Sequence, residues 1–328
     1  MKPAPPVTKL RGIAAMLLGA AAIGGVSSMA AMSEQPGPSL EVVIVSSTGA
    51  RDLLRACLES LRDHRYTGGP MLVHVVDNAS TDGTPEMVRE EFPEVRLHAL
   101  DWNAGFCHAN NVALSEARSP YILVLNPDTE IYPGSLDHMV TLMESDPEIG
   151  MSSCRLEMRD GTLDHAAKRS FPTPMGAFYQ FTGLAKRGGR FAQYRAPELD
   201  EYELGEVDAV NGAYMLVRKE AMDQVGLFDE GYWLYMEDLD WCYRFRQAGW
   251  KIVYDGRVST LHVKGGTTKR KRHRALKQNF AFHRSMGRFY RRYDGGKNLL
   301  FDAAIYLAIG VKLAVAVTRA TIARRGLR

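Results

Sequence analysis

The chain has 328 residues, with 41 Lys and Arg against 38 Asp and Glu, and 45% hydrophobic side chains. That composition excludes collagen-like, low-complexity and wholly disordered chains and leaves room for one large domain or two small ones. Four cysteines, Cys57, Cys107, Cys154 and Cys242, lie far apart with no CxxC pair, which argues against a zinc ribbon or a thioredoxin-like centre and fits a reducing compartment.

Lys2, Lys9 and Arg11 precede an uncharged stretch from Gly12 to Ser33, rich in Ala, Gly and Met, in the manner of a signal peptide or a weak membrane anchor. Residues 34–39 read as a linker, so 1–39 form an N-terminal segment apart from the body. From residue 40 the pattern alternates between strand and helix. Apolar, β-branched runs at 40–45, 71–76, 95–100 and 121–125 predict strands, and helical spacing at 53–61, 85–92 and 106–117 predicts helices between them. This order implies an α/β domain over 40–265 built on a mostly parallel sheet flanked by helices. Residues 159–205 lose periodicity and read as an irregular insert, a lid or acceptor loop. Order resumes over 207–217, with helices near 219–225 and 237–248 and closing strands at 251–254 and 258–263. Residues 266–328 are a basic helical tail: 251–328 hold 19 Lys/Arg against 3 Asp/Glu, a net of +16, which leaves residues 1–250 at −13. Such segregation points to a polyanionic partner.

Ligands in parallel sheets sit beyond the carboxyl ends of the strands. The first strand is followed by Ser46-Ser47-Thr48-Gly49-Ala50-Arg51, with neither a GxGxxG nor a P-loop motif. Acidic or amide residues stand instead after three strands: Asp77-Asn78, Asn103 and Asn126-Pro127-Asp128. A carboxylate after the second strand can accept hydrogen bonds from a base or ribose. One after the fourth can hold a hard divalent cation that a diphosphate shares. Glu237 and Asp238 adjoin at a helix start, where the macrodipole favours anions.

Six motifs in order resemble the signatures of family-2 glycosyltransferases: Val75-Val76-Asp77-Asn78-Ala79-Ser80-Thr81-Asp82-Gly83, Asn103-Ala104-Gly105-Phe106 with Ala109-Asn110-Asn111, Leu125-Asn126-Pro127-Asp128, Val210-Asn211-Gly212-Ala213, Gly226-Leu227-Phe228-Asp229-Glu230, and Glu237-Asp238-Leu239-Asp240-Trp241-Cys242 closed by Gly249-Trp250. Within that family the chain is most similar to the rhamnosyltransferase-like branch that builds cell-wall or surface polysaccharide. The resemblance implies a GT-A fold, a nucleotide-diphosphate sugar donor, Mg²⁺ or Mn²⁺, a saccharide or lipid-linked acceptor and inversion at the anomeric carbon. By the same resemblance Ser46, Asp77, Asn78, Asn103, Gly105 and Asn110 would line the nucleotide pocket, with Asp77 at a pyrimidine base. Asp128, in a DxD-like motif whose first position is Asn126, would bind the metal, and His262 would complete that site. Asp238, beside Glu237, would be the general base, while Asn211, Gly212, Trp233 and Tyr235 would face the sugar or acceptor. The chain departs from the family in carrying Ser46-Ser47-Thr48 where members often have Thr-Tyr-Asn, and Asn126 lowers the charge of the metal site.

The cluster Lys269–Arg274, with Arg284, Arg288, Arg291 and Arg292, leads into the apolar stretch 299–318. Asp302, Lys312 and Arg319 fall within about 100° of one another on a helix of 3.6 residues per turn, which predicts an amphipathic interfacial helix drawn to an anionic membrane surface at the cytoplasmic face, peripheral or monotopic. Aromatics interleave the basic run, so nucleic acid is the rival partner, the less favoured one. The competing functional class is a non-catalytic nucleotide- or nucleic-acid-binding module on a transferase-like scaffold. The presence of Asp77, Asp128 and Asp238 together favours catalysis.

Overall fold

The computed structural model describes residues 39–171, 199–263, 276–296 and 298–325. The apolar N-terminal segment, the core of the insert and the Lys269–Arg274 cluster lie outside the described residues. Chain order begins β1 (Leu40–Ser46), α1 (Arg51–Asp63), β2 (Met71–Asp77), α2 (Thr84–Glu91), β3 (Arg96–Ala99), α3 (Phe106–Leu114) and β4 (Tyr121–Leu125). It continues through β5 (Thr129–Ile131), α4 (Ser135–Ser145), β6 (Ile149–Glu157), β7 (Lys168–Arg169), β8 (Leu204–Glu206), β9 (Ala209–Val210) and β10 (Tyr214–Arg218). Helices α5 (Lys219–Val225) and α6 (Glu237–Gln247), strand β11 (Lys251–His262) and helices α7 (Leu276–Tyr293) and α8 (Leu299–Arg325) complete it.

Among the described residues the main sheet runs β3-β2-β1-β4-β10-β6-β11-β5, with β8 on β11, and β7 pairs with β9 in a separate ribbon. The β3-β2-β1-β4 half is parallel throughout. Its interior strands are buried on both faces: all five residues of β4 are buried, as are six of the seven in β1. Such strands favour continuous apolar runs, which Tyr121–Leu125 supplies and Leu40–Val45 supplies except at Glu41, a buried carboxylate met by His74 and the Arg118 and Ser119 N–H groups. Helix α1 covers the sheet with Leu54, Cys57, Leu58 and Leu61, buried on one face at helical spacing.

The second half is mixed. β10 enters antiparallel between β4 and β6, while β6 and β11 pair parallel. The expected single run over 207–217 is two strands broken by a turn at 211–213, because Asn211 Oδ1 accepts from the Ala213 N–H (3.1 Å) and the Asn211 carbonyl accepts from the Tyr214 N–H (3.1 Å). The two closing strands are one, β11, whose register slips between Asp255 and Ser259. Residues 126–158, for which the sequence pattern predicted no elements, contain β5, α4 and β6.

The tail also differs from its expectation. Helix α7 lies against the segment before α6. Ser285 Oγ donates to the Leu234 carbonyl (3.1 Å), Arg288 is bidentate to Asp229 (2.8 and 3.0 Å), and the Tyr293 hydroxyl donates to Asp240 (2.7 Å). Arg292 also pairs with Asp229 and Asp240. Part of the basic excess therefore neutralises buried acids within the chain. Helix α8 is not the expected amphipathic interfacial helix. Leu299, Leu300, Phe301, Leu307, Val311 and Val315 are exposed along one side of it, and Leu299–Thr321 is long and apolar enough to cross a membrane by length and composition. Asp302, the acidic residue of its first turn, accepts from the Tyr290 hydroxyl (2.5 Å) and the Gly296 N–H (2.9 Å). That charge serves the α7–α8 corner instead of a polar stripe.

Trp241 anchors α6: it is fully buried, its indole N–H donates to the Gly226 carbonyl (2.8 Å), and its ring packs on Phe228 and Phe245. Trp241→Ala should cost about 3–5 kcal/mol, read as a lowered denaturation midpoint in urea.

Candidate functional site

Two polar clusters form where strands of the main sheet end. The first gathers Ser46, Asp77, Asn78, Asn103, Gly105 and Asn110. Ser46 and Asp77 are register partners at the carboxyl ends of β1 and β2, and both are buried. One oxygen of Asp77 accepts from the Ser80 N–H (2.8 Å); its Oδ1, Ser46 Oγ and Ser80 Oγ are buried without a partner in the structure. Buried polar atoms are nearly always hydrogen-bonded, so three such orphans in neighbouring residues mark a place where a polar ligand or water sits. Asn78 instead clamps the following loop: its Oδ1 accepts from the Ala104 N–H (2.7 Å) and its Nδ2 donates to the Gly105 carbonyl (3.0 Å). Asn103 is exposed, with Oδ1 accepting from the Gly105 N–H (3.2 Å). Asn110 lies buried in α3, its Nδ2 donating to the Phe106 carbonyl (2.9 Å) and its Oδ1 unpartnered. Gly105 has φ +88°, and a Cβ there would lie 2.4 Å from the Trp233 ring, so only glycine lets this loop lie against Trp233.

The second cluster is a continuous polar chain. Asp128, just beyond β4, stands 3.5 Å from Nε2 of His262 at the end of β11. Nδ1 of that imidazole is 2.9 Å from Asp164, whose same oxygen accepts from Asn211 Nδ2 (3.2 Å). The neighbouring Gly212 N–H points at Asp238 Oδ2 (3.4 Å), and Arg169 donates to that oxygen at 2.6 Å. Burial lowers the His262 pKa, but the carboxylates of Asp128 and Asp164 outweigh it and raise the value to about 9. Burial, and then the adjacent Asp238 carboxylate, push the Glu237 pKa well above the carboxylate range, against the opposing pull of Arg169. Glu237 is buried with one oxygen unpartnered, while Asp238 keeps some solvent contact.

The backbone that presents this pair is strained. Tyr235 and Met236, consecutive and non-glycine, both have φ +69°, a region that costs roughly 1–3 kcal/mol per residue and gathers at functional sites. The turn aims the N-terminus of α6 so that Glu237, Asp238 and Asp240 occupy its first turn. Trp233 packs on Gly105 and carries the Lys277 ammonium 3.9 Å above its ring, and Tyr235 meets Phe282 edge-on. Asp240 is fully buried between Arg244, Arg292 and Tyr293 and is structural.

Sequence reasoning missed Asp164 and Arg169, which lie in the segment read as an aperiodic insert. No spacing marks them: Arg169 joins the site through long-range pairing of β7 with β9, and Asp164 through its N–H on the Leu156 carbonyl of β6 (2.8 Å). Among the described residues, no group of three or more His, Cys, Asp or Glu side chains is arranged to hold a metal by itself. Asp128 and His262 do offer one oxygen and one nitrogen, with Asp164 fixing the far ring nitrogen as carboxylates do behind metal-bound histidines. The donor set fits a divalent cation that draws other ligands from a bound substrate.

The sequence profile of glycosyl transferase family 2 matches residues 42–225. The chain is 31% identical to the N-acetylglucosaminyl-diphospho-decaprenol L-rhamnosyltransferase of Mycobacterium tuberculosis over 252 residues, 73% of this chain and 76% of that one. It is 30% identical to the rhamnosyltransferase WbbL of Escherichia coli K12 over 234 residues, covering 67% and 82% of the two chains. Among solved structures, a mannosyltransferase from Pyrobaculum calidifontis in complex with GDP-Man and Mn²⁺ aligns with TM-score 0.51 at 18% identity, over 87% of this chain and 76% of that one. GalNAc-T7 with UDP, GalNAc and Mn²⁺ aligns with TM-score 0.52 at 16% identity, over 69% and 44%. The fold is GT-A, as the sequence motifs implied.

Asn78→Ala should leave the Ala104 N–H and Gly105 carbonyl unpaired at a cost of about 1–3 kcal/mol. A lowered melting temperature, with weaker nucleoside-diphosphate binding by calorimetry, is the expected result.

Proposed function

The chain belongs to glycosyl transferase family 2, and on that footing we propose that it moves a sugar, rhamnose being the favoured candidate, from a nucleotide-diphosphate donor to a saccharide or lipid-linked acceptor. Inversion at the anomeric carbon and a place in cell-wall or surface polysaccharide synthesis are part of this reading. The observation that carries it is the polar chain from Asp128 through His262, Asp164 and Asn211 to the turn that contacts Asp238. It sets a candidate diphosphate anchor and a candidate base on one edge of one sheet. The names of the rhamnosyltransferase relatives support the sugar, and decaprenol in one of those names supports a lipid-linked acceptor.

In this reading the donor base lies against Ser46, Asp77 and Ser80, whose orphaned atoms await polar partners. Asn78, Gly105 and Asn110 shape that pocket, with Asn103 at its rim. Asp238 accepts the proton of the acceptor hydroxyl as that oxygen attacks the anomeric carbon. The bond to the diphosphate breaks, and the leaving group takes the electron pair. Asp128 and His262 would hold Mg²⁺ or Mn²⁺, whose chemistry is to neutralise charge developing on the leaving diphosphate. Asn211, Gly212, Trp233 and Tyr235 border the space for sugar and acceptor, and burial favours the neutral form of Glu237, while Asp238 is the member of the pair that meets Arg169.

Helix α8, long and apolar enough to cross a membrane by length and composition, would anchor the enzyme at the cytoplasmic face of the membrane, where nucleotide sugars are expected. The reading treats 40–265 as the transferase domain and 266–328 as the membrane-associating extension.

Asp238→Asn keeps the shape and removes the proton acceptor, so turnover should fall by about 10²-fold or more while donor binding persists. If Glu237→Gln proves the far more damaging change, the base is Glu237. Asp128→Ala, or excess EDTA on the unaltered enzyme, should abolish transfer and weaken nucleotide-diphosphate binding; full turnover in either case would refute the metal role. For the anchor, detergent should release the protein from the membrane pellet and high salt should not. Release by salt alone would indicate attachment by charge.

A further inference from the structure

Arg169 is absent from every motif in the chain, yet it touches the candidate base. Its guanidinium is almost wholly buried and donates to Asp238 Oδ2 at 2.6 Å. The same nitrogen hydrogen-bonds the Val210 carbonyl, one residue before the Asn211–Gly212 turn. With the Leu239 N–H on Oδ1 (2.8 Å) and the Gly212 N–H near Oδ2, donors from three elements converge on one carboxylate.

The other titratable groups near Asp238 do not supply this influence. Glu237, Asp240 and Cys242 share its helix, and Cys107 faces it from α3. Asp240 is neutralised by Arg244 and Arg292. Burial pushes the Cys242 thiol up to about 12 and Cys107 further in the same direction. Glu237 is driven toward its neutral form by burial and by Asp238. Among the described residues, Arg169 is the cation in hydrogen-bond contact with the base.

We propose that Arg169 is the positioning residue of the transfer reaction, holding Asp238 ionised and fixing the aim of its carboxylate toward the acceptor hydroxyl. The proposal rests on the reading of Asp238 as general base. A carboxylate beside a buried, proton-bearing neighbour gains protons as the pH falls, and a guanidinium in contact opposes this, since an adjacent opposite charge favours the charged form. The cost is a weaker base; the gain is a carboxylate held in one orientation by its donors. Stability alone is a poor reason for such a pair, because buried ion pairs contribute little net folding energy. During transfer the hydroxyl proton passes to Asp238, the new bond to the anomeric carbon forms as the bond to diphosphate breaks, and Arg169 keeps its own protons. Its link to Val210 ties the base to the β7–β9 ribbon and so to the turn that borders the sugar space.

The test is the pH profile of kcat for the full-length membrane enzyme, its Arg169→Gln variant and its Arg169→Lys variant, with donor KM and melting temperature measured for each. In Arg169→Gln, kcat at neutral pH should fall about tenfold or more, and the acidic limb should move upward by roughly one to three pH units. Donor KM should stay within about twofold. Arg169→Lys keeps the charge but not the fork, so its acidic limb should stay near that of the parent enzyme while kcat drops several-fold. A folded Arg169→Gln enzyme with an unshifted limb would overturn the proposal, as would a raised donor KM with kcat unchanged, the mark of a diphosphate ligand. Should Arg169→Gln fail to fold, the lysine variant decides: an acidic limb displaced by more than about one pH unit refutes the proposal. Full turnover by Asp238→Asn would refute the base assignment itself, a separate failure.

Discussion

A carboxylate removed from water must meet donors or lose its charge, because an unpaired buried ion costs several kcal/mol even after the protein relaxes. That constraint arranges this site. Asp164 is fully buried and is met by the Ala166 N–H, Asn211 and His262; Asp240 is met by Arg244 and Tyr293; Asp77 is half met, by Ser80. Asp238 is met by Arg169. Glu237, beside it and more deeply buried, has an oxygen with no donor and shifts toward the protonated form instead. Of two adjacent carboxylates, one is thus paired to a guanidinium and the other is left in a dry pocket beside it.

The parts that sequence alone revealed are those with a local signature. The β1, β2 and β4 runs are apolar but for Glu41 and His74, which pair with each other, and Asp77, Asp128 and Asp238 lie at or next to strand or helix boundaries set by that pattern. Direction is not local. The Tyr214–Arg218 run is equally apolar whether it enters the sheet parallel or antiparallel, so β10 could not be oriented from its composition. β6 carries Ser152 and Ser153 at its centre, both fully buried, and its polar middle hid a central strand. Helix α4 does show periodic burial at Leu136, Met139, Val140 and Met143, a signal present in the sequence and left unread. Asp164 and Arg169 belong to the other extreme: Arg169 meets Asp238 only once β7 pairs with β9, some forty residues on, and Asp164 meets His262 only at the far end of β11.

Charge segregation along the chain proved informative for an unexpected reason. A net of +16 in the last 78 residues suggests an external polyanion. Part of the answer is internal: Arg288 and Arg292 neutralise Asp229 and Asp240 on the segment that leads into α6. Gly231 belongs to the same arrangement, since a Cβ there would fall on the Arg288 guanidinium. Two arginines of the basic tail are therefore used within the chain, and net charge by segment overstates what remains for a membrane by that much.

The same helix bears on the strained backbone of the site. Two adjacent residues in the left-handed region persist only where their surroundings over-determine them. Here α7 supplies those surroundings: Ser285 holds the Leu234 carbonyl, Phe282 packs edge-on against Tyr235, and Lys277 covers Trp233. On the other side the Phe106 N–H bonds the Trp233 carbonyl (2.9 Å), joining the segment to the loop that Asn78 clamps. The turn that presents Asp238 is thus fixed between the loop at residues 103–106 and α7. Because α8 continues from α7 through the Tyr290–Asp302 corner, the helix suited to a membrane lies one hydrogen-bonded corner from the helix that braces this turn.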